Sequence, residues 1–111
     1  MDSSRLRFTL GLEVLMKERN FQASLISKIH ERWPECVVLK NDANYIQGIP
    51  DLLVLNGNKW AALEVKRNGR ASHRPNQDYY VERFDAMSFC RFVYPENTEE
   101  VLDEMALSWQ S

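Results

Sequence analysis

A chain of 111 residues, 44% of them hydrophobic and with three tryptophans, four tyrosines and five phenylalanines, is the size of one compact domain and can bury a core without a staple. Its apolar runs, such as Leu52-Leu53-Val54-Leu55, are too short to span a bilayer, and the segment from Met1 to Arg5 lacks the sustained apolar stretch of a secretory signal. A net charge of −2 argues against nucleic-acid binding by bulk electrostatics, although the charge is unevenly placed. No acid stands between Glu64 and Asp78, where Lys66, Arg67, Arg70, His73 and Arg74 are gathered, while Glu96, Glu99, Glu100, Asp103 and Glu104 collect near the C-terminus.

Along the chain, residues 1–17 read as an N-terminal extension of ambiguous form. Leu6, Phe8, Leu10 and Leu12 alternate as in a strand, whereas Leu12, Leu15 and Met16 fit a helix. Leu25, Ile26, Ile29 and Trp33 recur at helical spacing, and Pro34 closes that helix. Residues 36–39 are a short β-prone run and 41–47 a polar loop. Residues 52–55 are apolar at four consecutive positions, as in a strand covered on both faces. Asn56-Gly57-Asn58 signals a tight turn, and 60–65 is the returning strand.

Pro75 suits the first turn of a helix over 74–87, with Val81, Phe84 and either Tyr80 or Met87 facing inward. Residues 89–94 form a further strand. Asn97, with Glu100 three residues on, predicts the cap of a last helix whose apolar face is Val101, Leu102, Met105 and Trp109. Cys36 and Cys90 have no metal-ligand spacing and read as buried free thiols in a reducing, cytoplasmic setting. There is no repeat and no linker, so residues 1–111 make a single domain.

The hairpin carries the chemistry. A two-residue turn at Asn56-Gly57 sets Asp51 opposite Ala62 with Glu64 on the diagonal; a turn at Gly57-Asn58 sets Asp51 opposite Glu64 directly. Either register puts both carboxylates on one sheet face, within roughly 5–8 Å, and Lys66 points the same way. Two such acids repel and lose hydration, so positive charge must compensate them. Lys66 supplies part; a hard divalent cation, Mg²⁺ or Mn²⁺, would supply the rest, with the Val65 carbonyl as a further oxygen ligand. Such an ion would neutralise a phosphodiester and acidify water, while Lys66 orients the nucleophile or steadies the developing charge. The bland alternative is a surface ion pair of Glu64 with Lys66 or Arg67 and an Asp51 that caps a turn. Gln77 lies four residues before Val81 on the inward stripe, and a polar side chain so placed needs a partner. The basic loop Arg67, Arg70, His73 and Arg74, directly after Lys66, is placed to contact phosphate. Trp33, Trp60 and Trp109 read as core or dimer surface.

Gly48-Ile49-Pro50-Asp51, then Leu63-Glu64-Val65-Lys66, then Gln77 on the following helix resemble the PD-(D/E)XK nuclease superfamily, and are most similar to the small stand-alone phage-type VRR-NUC nucleases. The resemblance spans residues 17–105 and includes Lys40 on the first strand. It implies an α/β restriction-endonuclease-like core, αβββαβ, with a mixed central sheet flanked by helices over residues 18–105, plus the extension and a C-terminal helix. It implies Asp51 and Glu64 as metal ligands, Lys66 as the catalytic lysine and Gln77 as an active-site support. The family's first-helix glutamate falls here on Gln22, with Glu18 and Glu31 at other phases of the same segment. The expected activity is a Mg²⁺-dependent endodeoxyribonuclease, acting as a homodimer on branched DNA such as Holliday junctions. A nuclease-fold module of weak or absent activity that binds DNA or protein is the alternative that Gln22 favours, and an interaction domain with a fortuitous motif is the third.

Overall fold

The structure, a computed structural model, describes residues 3–110, with side chains described from Thr9 onward. Helix α1 (Ser3–Arg32) is followed by strands β1 (Val37–Lys40), β2 (Leu52–Asn56) and β3 (Lys59–Val65). Helix α2 (Pro75–Met87), strand β4 (Cys90–Val93), a 3-10 turn at Pro95–Asn97 and helix α3 (Thr98–Gln110) complete the chain. The sheet runs β1-β2-β3-β4. The first three strands are antiparallel neighbours, whereas β4 lies parallel to β3. A parallel pair needs a crossover, and α2 provides it. This is the expected mixed sheet with flanking helices.

The ambiguity at the N-terminus resolves as helix. Residues 3–32 form one continuous α1, so 3–17 are the first half of the predicted helix and not a separate extension. The local pattern was unreadable because this half has no core to impose a period: Leu10, Leu12, Leu15 and Met16 are all exposed. Leu6 and Phe8 have side chains outside the described residues. The second half supplies Leu25 and Ile29 to the core, where they meet Leu52, Val54, Ala61, Leu63 and Val93 of the sheet and Val101, Leu102 and Met105 of α3. Trp33 stacks edge-on against Trp109 with ring centroids 4.8 Å apart. The C-terminal acids also serve here, since Lys28 and Arg32 pair with Glu99, Arg32 with Asp103, and Arg91 with Glu104. The pairs from Lys28 and Arg32 orient α1 on α3 more than they stabilise it, and the Arg91 pair ties β4 to α3.

Two details differ from the sequence reading. Strand β2 is fully covered on one face only: Leu52 and Val54 are buried, but Leu53 and Leu55 are only partly so. Helix α2 explains this, because it covers β3 and β4 with Tyr80, Val81 and Phe84 half-buried and Met87 left exposed. Asn97 does not cap α3. Its side chain turns back to accept from the Tyr94 N–H (2.8 Å) and donate to the Phe92 carbonyl (3.0 Å), and α3 starts one residue later at the buried Thr98. Both cysteines are free and buried, as expected.

Because α1 divides into a packed and an unpacked half, truncations along it should separate. Leu25→Ala, at a site with 0% exposure, is expected to cost about 2–5 kcal/mol. Leu10→Ala, at a site 53% exposed, is expected to change stability by less than about 0.5 kcal/mol. Urea midpoints at unchanged slope measure both.

Candidate active site

The turn is Gly57-Asn58. Asn56 pairs with Lys59 and Leu52 with Leu63, so the register continued by one residue sets Asp51 opposite Glu64. Gly57 takes φ +63°, which only a residue without Cβ adopts at little cost. Asp51 itself lies just before β2 and is held from two sides. Its carbonyl accepts from the Asn41 N–H (2.8 Å), and the Asn41 side-chain amide donates to the Pro50 carbonyl (2.7 Å). Its carboxylate Oδ2 accepts from the Val65 N–H at 2.8 Å. Strand β3 thus fixes the rotamer of the acid across from it.

Glu64 is 3% exposed and Lys66 8% exposed, which rules out the reading of both as a surface ion pair. Gln77 joins them. Its Oε1 accepts from Lys66 Nζ (2.7 Å) and from the Arg74 N–H (3.1 Å), and its Nε2 donates to Glu64 Oε1 (3.2 Å). Lys66 Nζ also donates to the Ser72 carbonyl at 3.1 Å. The inward amide predicted from helical spacing therefore has all its partners in the site. Gly48 lets α2 come close enough: it takes φ +86°, and a Cβ there would lie 2.6 Å from the Asn76 side chain, next to Gln77.

One atom is left over. Glu64 Oε2 is buried and has no hydrogen-bond partner among the described residues. Burial first, and then the charge of Asp51, push the Glu64 carboxyl up to about 8, against the opposing pull of Lys66. Burial also raises Asp51, against the Val65 N–H, the Glu64 carboxyl and Lys66, which lower it. Protonated, Glu64 can give its proton to Asp51; ionised, Oε2 needs a cation. That atom, beside a second carboxylate at the wall of a polar cleft, fits a hard divalent ion of the Mg²⁺ or Mn²⁺ type.

The cleft, about 340 Å³, is lined by Asp51, Glu64, Val65, Lys66 and Gln77 together with Leu15, Glu18, Arg19 and Gln22 of α1. Gln22 is thus brought to the two acids as the alignment implied. Among the described residues no group of three or more acids, histidines or cysteines converges to hold a metal, although Glu18 shares the cleft with Asp51 and Glu64. Glu18, one of the two acids noted at other phases of that segment, lines the cleft, whereas Arg19 was not placed by sequence reasoning; the spacing Leu15-Glu18-Arg19-Gln22 is one helical stripe, visible only once that part of the chain is known to be helix. A second cleft, about 200 Å³, reaches Asp51, Glu64 and Gln77 from the side of Asn44, Gln47, Gly48 and Arg74.

Other expected residues lie apart. Lys40 is exposed on β1 and lines neither cleft. Of the basic loop, Arg74 faces the second cleft, whereas Arg70 borders a separate hollow with Tyr94 and Glu96, and Arg67 is exposed away from both clefts. His73 stacks on Phe92 at 3.9 Å between centroids and meets Asp78 Oδ1 at 3.1 Å. Phe92 pairs with Glu64 across β3 and β4, so His73 stacks on the acid's neighbour in the sheet.

A solved structure described as a VRR_NUC domain superposes with a TM-score of 0.62, at 22% identity, covering 78% of this chain and 95% of the other. The fold is that of a VRR_NUC domain. The resemblance read from the hairpin motif therefore holds at the level of the fold. No family model matches the sequence, and neither does any curated protein.

The raised Glu64 makes stability depend on pH in a definite direction. A carboxyl raised from 4.5 to about 8 on folding stabilises fully below its unfolded value, and that contribution is lost as pH climbs through the folded value. The metal-free protein should lose melting temperature between about pH 4.5 and 8, Glu64→Gln should flatten the profile, and Mg²⁺ should restore the wild type at the alkaline end. Thermal denaturation across pH, with EDTA or Mg²⁺, reads all three. Gly48→Ala should push α2 outward, weakening the Gln77 bonds and lowering stability by about 1–3 kcal/mol.

Proposed function

We propose that the chain is a metal-dependent nuclease that hydrolyses phosphodiester bonds in DNA. The observation that carries this reading is the buried, unpartnered Glu64 Oε2 beside Asp51, with a lysine held over the same cleft. When bound, Mg²⁺ or Mn²⁺ supplies positive charge against the phosphate and a more acidic water. Asp51 and Glu64 hold the ion, with the Val65 carbonyl as a further oxygen. The Val65 N–H keeps Asp51 Oδ2 turned to the site. Lys66 keeps its charge directed into the cleft because Gln77 Oε1 and the Ser72 carbonyl occupy two of its three donors, leaving the third for the nucleophile or a phosphate oxygen. Gln77, bonding Lys66 with its oxygen and Glu64 with its amide nitrogen, sets their separation and lets neither swing away.

In this reading the substrate is DNA, branched DNA such as a four-way junction included, and the working unit is a homodimer, since one site cuts one strand. The exposed Leu10, Leu12, Leu15 and Met16 along α1 support the dimer, as surface that a second subunit can cover. No helix among the described residues is long and apolar enough to cross a membrane. Gln22 favours the second reading, a weak or inactive nuclease-fold module, because an amide beside two acids brings no charge.

Incubating the protein with a four-way junction and a linear duplex, in Mg²⁺, Mn²⁺ or EDTA, decides between them. Cleavage should require metal and fall about 100-fold or more in Asp51→Ala and Lys66→Ala. Gln22→Glu should raise cleavage if the missing charge limits it. Tight DNA binding with no cutting in any metal would establish the second reading instead.

A further inference from the structure

The two acids are reached from two sides. The first cleft approaches them past α1 and the second past the loop of residues 41–50, and Asp51, Glu64 and Gln77 belong to both. A cleft that merely received a small ligand would need one mouth. A continuous chain passing over the acids needs an entrance and an exit, and each side here carries one guanidinium: Arg19 on the α1 side and Arg74 on the other. Neither has an acidic partner among the described residues, unlike Arg32 and Arg91, whose charges are taken up by Glu99, Asp103, Asp85 and Glu104. Tyr45, on the loop that walls the second side, is 85% exposed, a large apolar ring spent on no core.

We propose that an unpaired polynucleotide strand runs through both clefts, with Arg19 and Arg74 holding phosphates on opposite sides of the one at Asp51 and Glu64, and Tyr45 stacking on a base beside Arg74. This rests on the nuclease reading for the direction of chemistry, but not for its geometry. The acids are recessed, so a phosphate must enter between two walls to reach them, which a strand released from its partner does more readily than a duplex. Phosphates take their grip from the two guanidinium groups, which read no sequence. A base has a π-face whatever its identity, which suits an aromatic ring on the rim. Glu18 shares the α1 wall and opposes a phosphate there; an ion held by Asp51 and Glu64 offsets it. Arg74 is also the residue whose N–H bonds Gln77 Oε1, so a strand drawn onto its side chain bears on the same amide that holds Lys66.

Fluorescence anisotropy of a labelled single-stranded oligonucleotide and of the same sequence as duplex, with Ca²⁺ in place of Mg²⁺ and over a range of salt, tests this without any need for cleavage. Arg19→Ala and Arg74→Ala should each weaken single-strand binding and reduce its salt slope by about 0.7, the share of one phosphate contact. Tyr45→Ala should weaken single-strand binding by about 5- to 150-fold and leave duplex binding nearly unchanged. Arg83→Ala, on the outer side of α2, should change neither. A salt slope unmoved by Arg19→Ala, or a Tyr45→Ala effect equal on duplex and single strand, would overturn the proposal. Binding of this pattern by a protein that cuts nothing would keep the strand path and remove the nuclease reading; Asp51-dependent cutting with Arg19→Ala and Arg74→Ala both silent would do the reverse.

Discussion

The structure depends on a carboxylate placed where water cannot compensate it. Glu64 sits at the end of the central strand β3, 3% exposed, opposite a second acid and with one oxygen lacking any donor. A polar group so buried costs stability unless something meets it, and a charged one costs more. The surrounding sequence can be understood as the set of groups that make this position tolerable. The Val65 N–H holds Asp51 at a fixed distance, Lys66 brings an opposite charge, and Gln77 ties the lysine to the glutamate. None of these supplies a donor to Oε2, which is why the arrangement points outward to a cation.

Gln77 is the joint through which the fold reaches the site. Helix α2 rests on β3 and β4 with no fully buried residue of its own, so its position owes much to polar contacts at its N-terminus. One amide there bonds Lys66, Glu64 and the backbone of Arg74 at once, while Gly48 allows the loop before Asp51 to pass against Asn76. The segment between Lys66 and α2 is closed by the Lys66 bond to Ser72. Helix α2, the basic loop and strand β3 are therefore mechanically one unit, and movement at Arg74 is felt at the lysine.

Much of this was legible in the sequence, because a strand's side-chain period is fixed. Whichever of the two turn registers formed, parity put Asp51, Glu64 and Lys66 together, and the structure selects Gly57-Asn58, the closer pairing. The inward direction of Gln77 followed from its distance to Val81 by the same kind of argument. What was not legible were features that depend on tertiary placement. The described part of the first half of α1 has no packed face, so its apolar residues carry no period, and Arg19 could not be assigned to the cleft. Lys40, at the end of β1, and Arg67, just past β3, line neither cleft, because sequence proximity to a strand end does not fix which way an exposed side chain points. Asn97 had a cap's sequence signature but found better partners behind it, at Phe92 and Tyr94.

The central claim is that Asp51 and Glu64 are buried in wait for a divalent ion. Calorimetric titration of Mn²⁺ into the metal-free protein, in two buffers of different ionisation enthalpy and at pH values either side of about 8, tests it most directly. The account predicts saturable uptake that tightens as pH rises, releases a proton below that value, and is lost when Asp51→Asn and Glu64→Gln are combined. Uptake equally weak in the wild type and the double variant, with no dependence on pH, would contradict it.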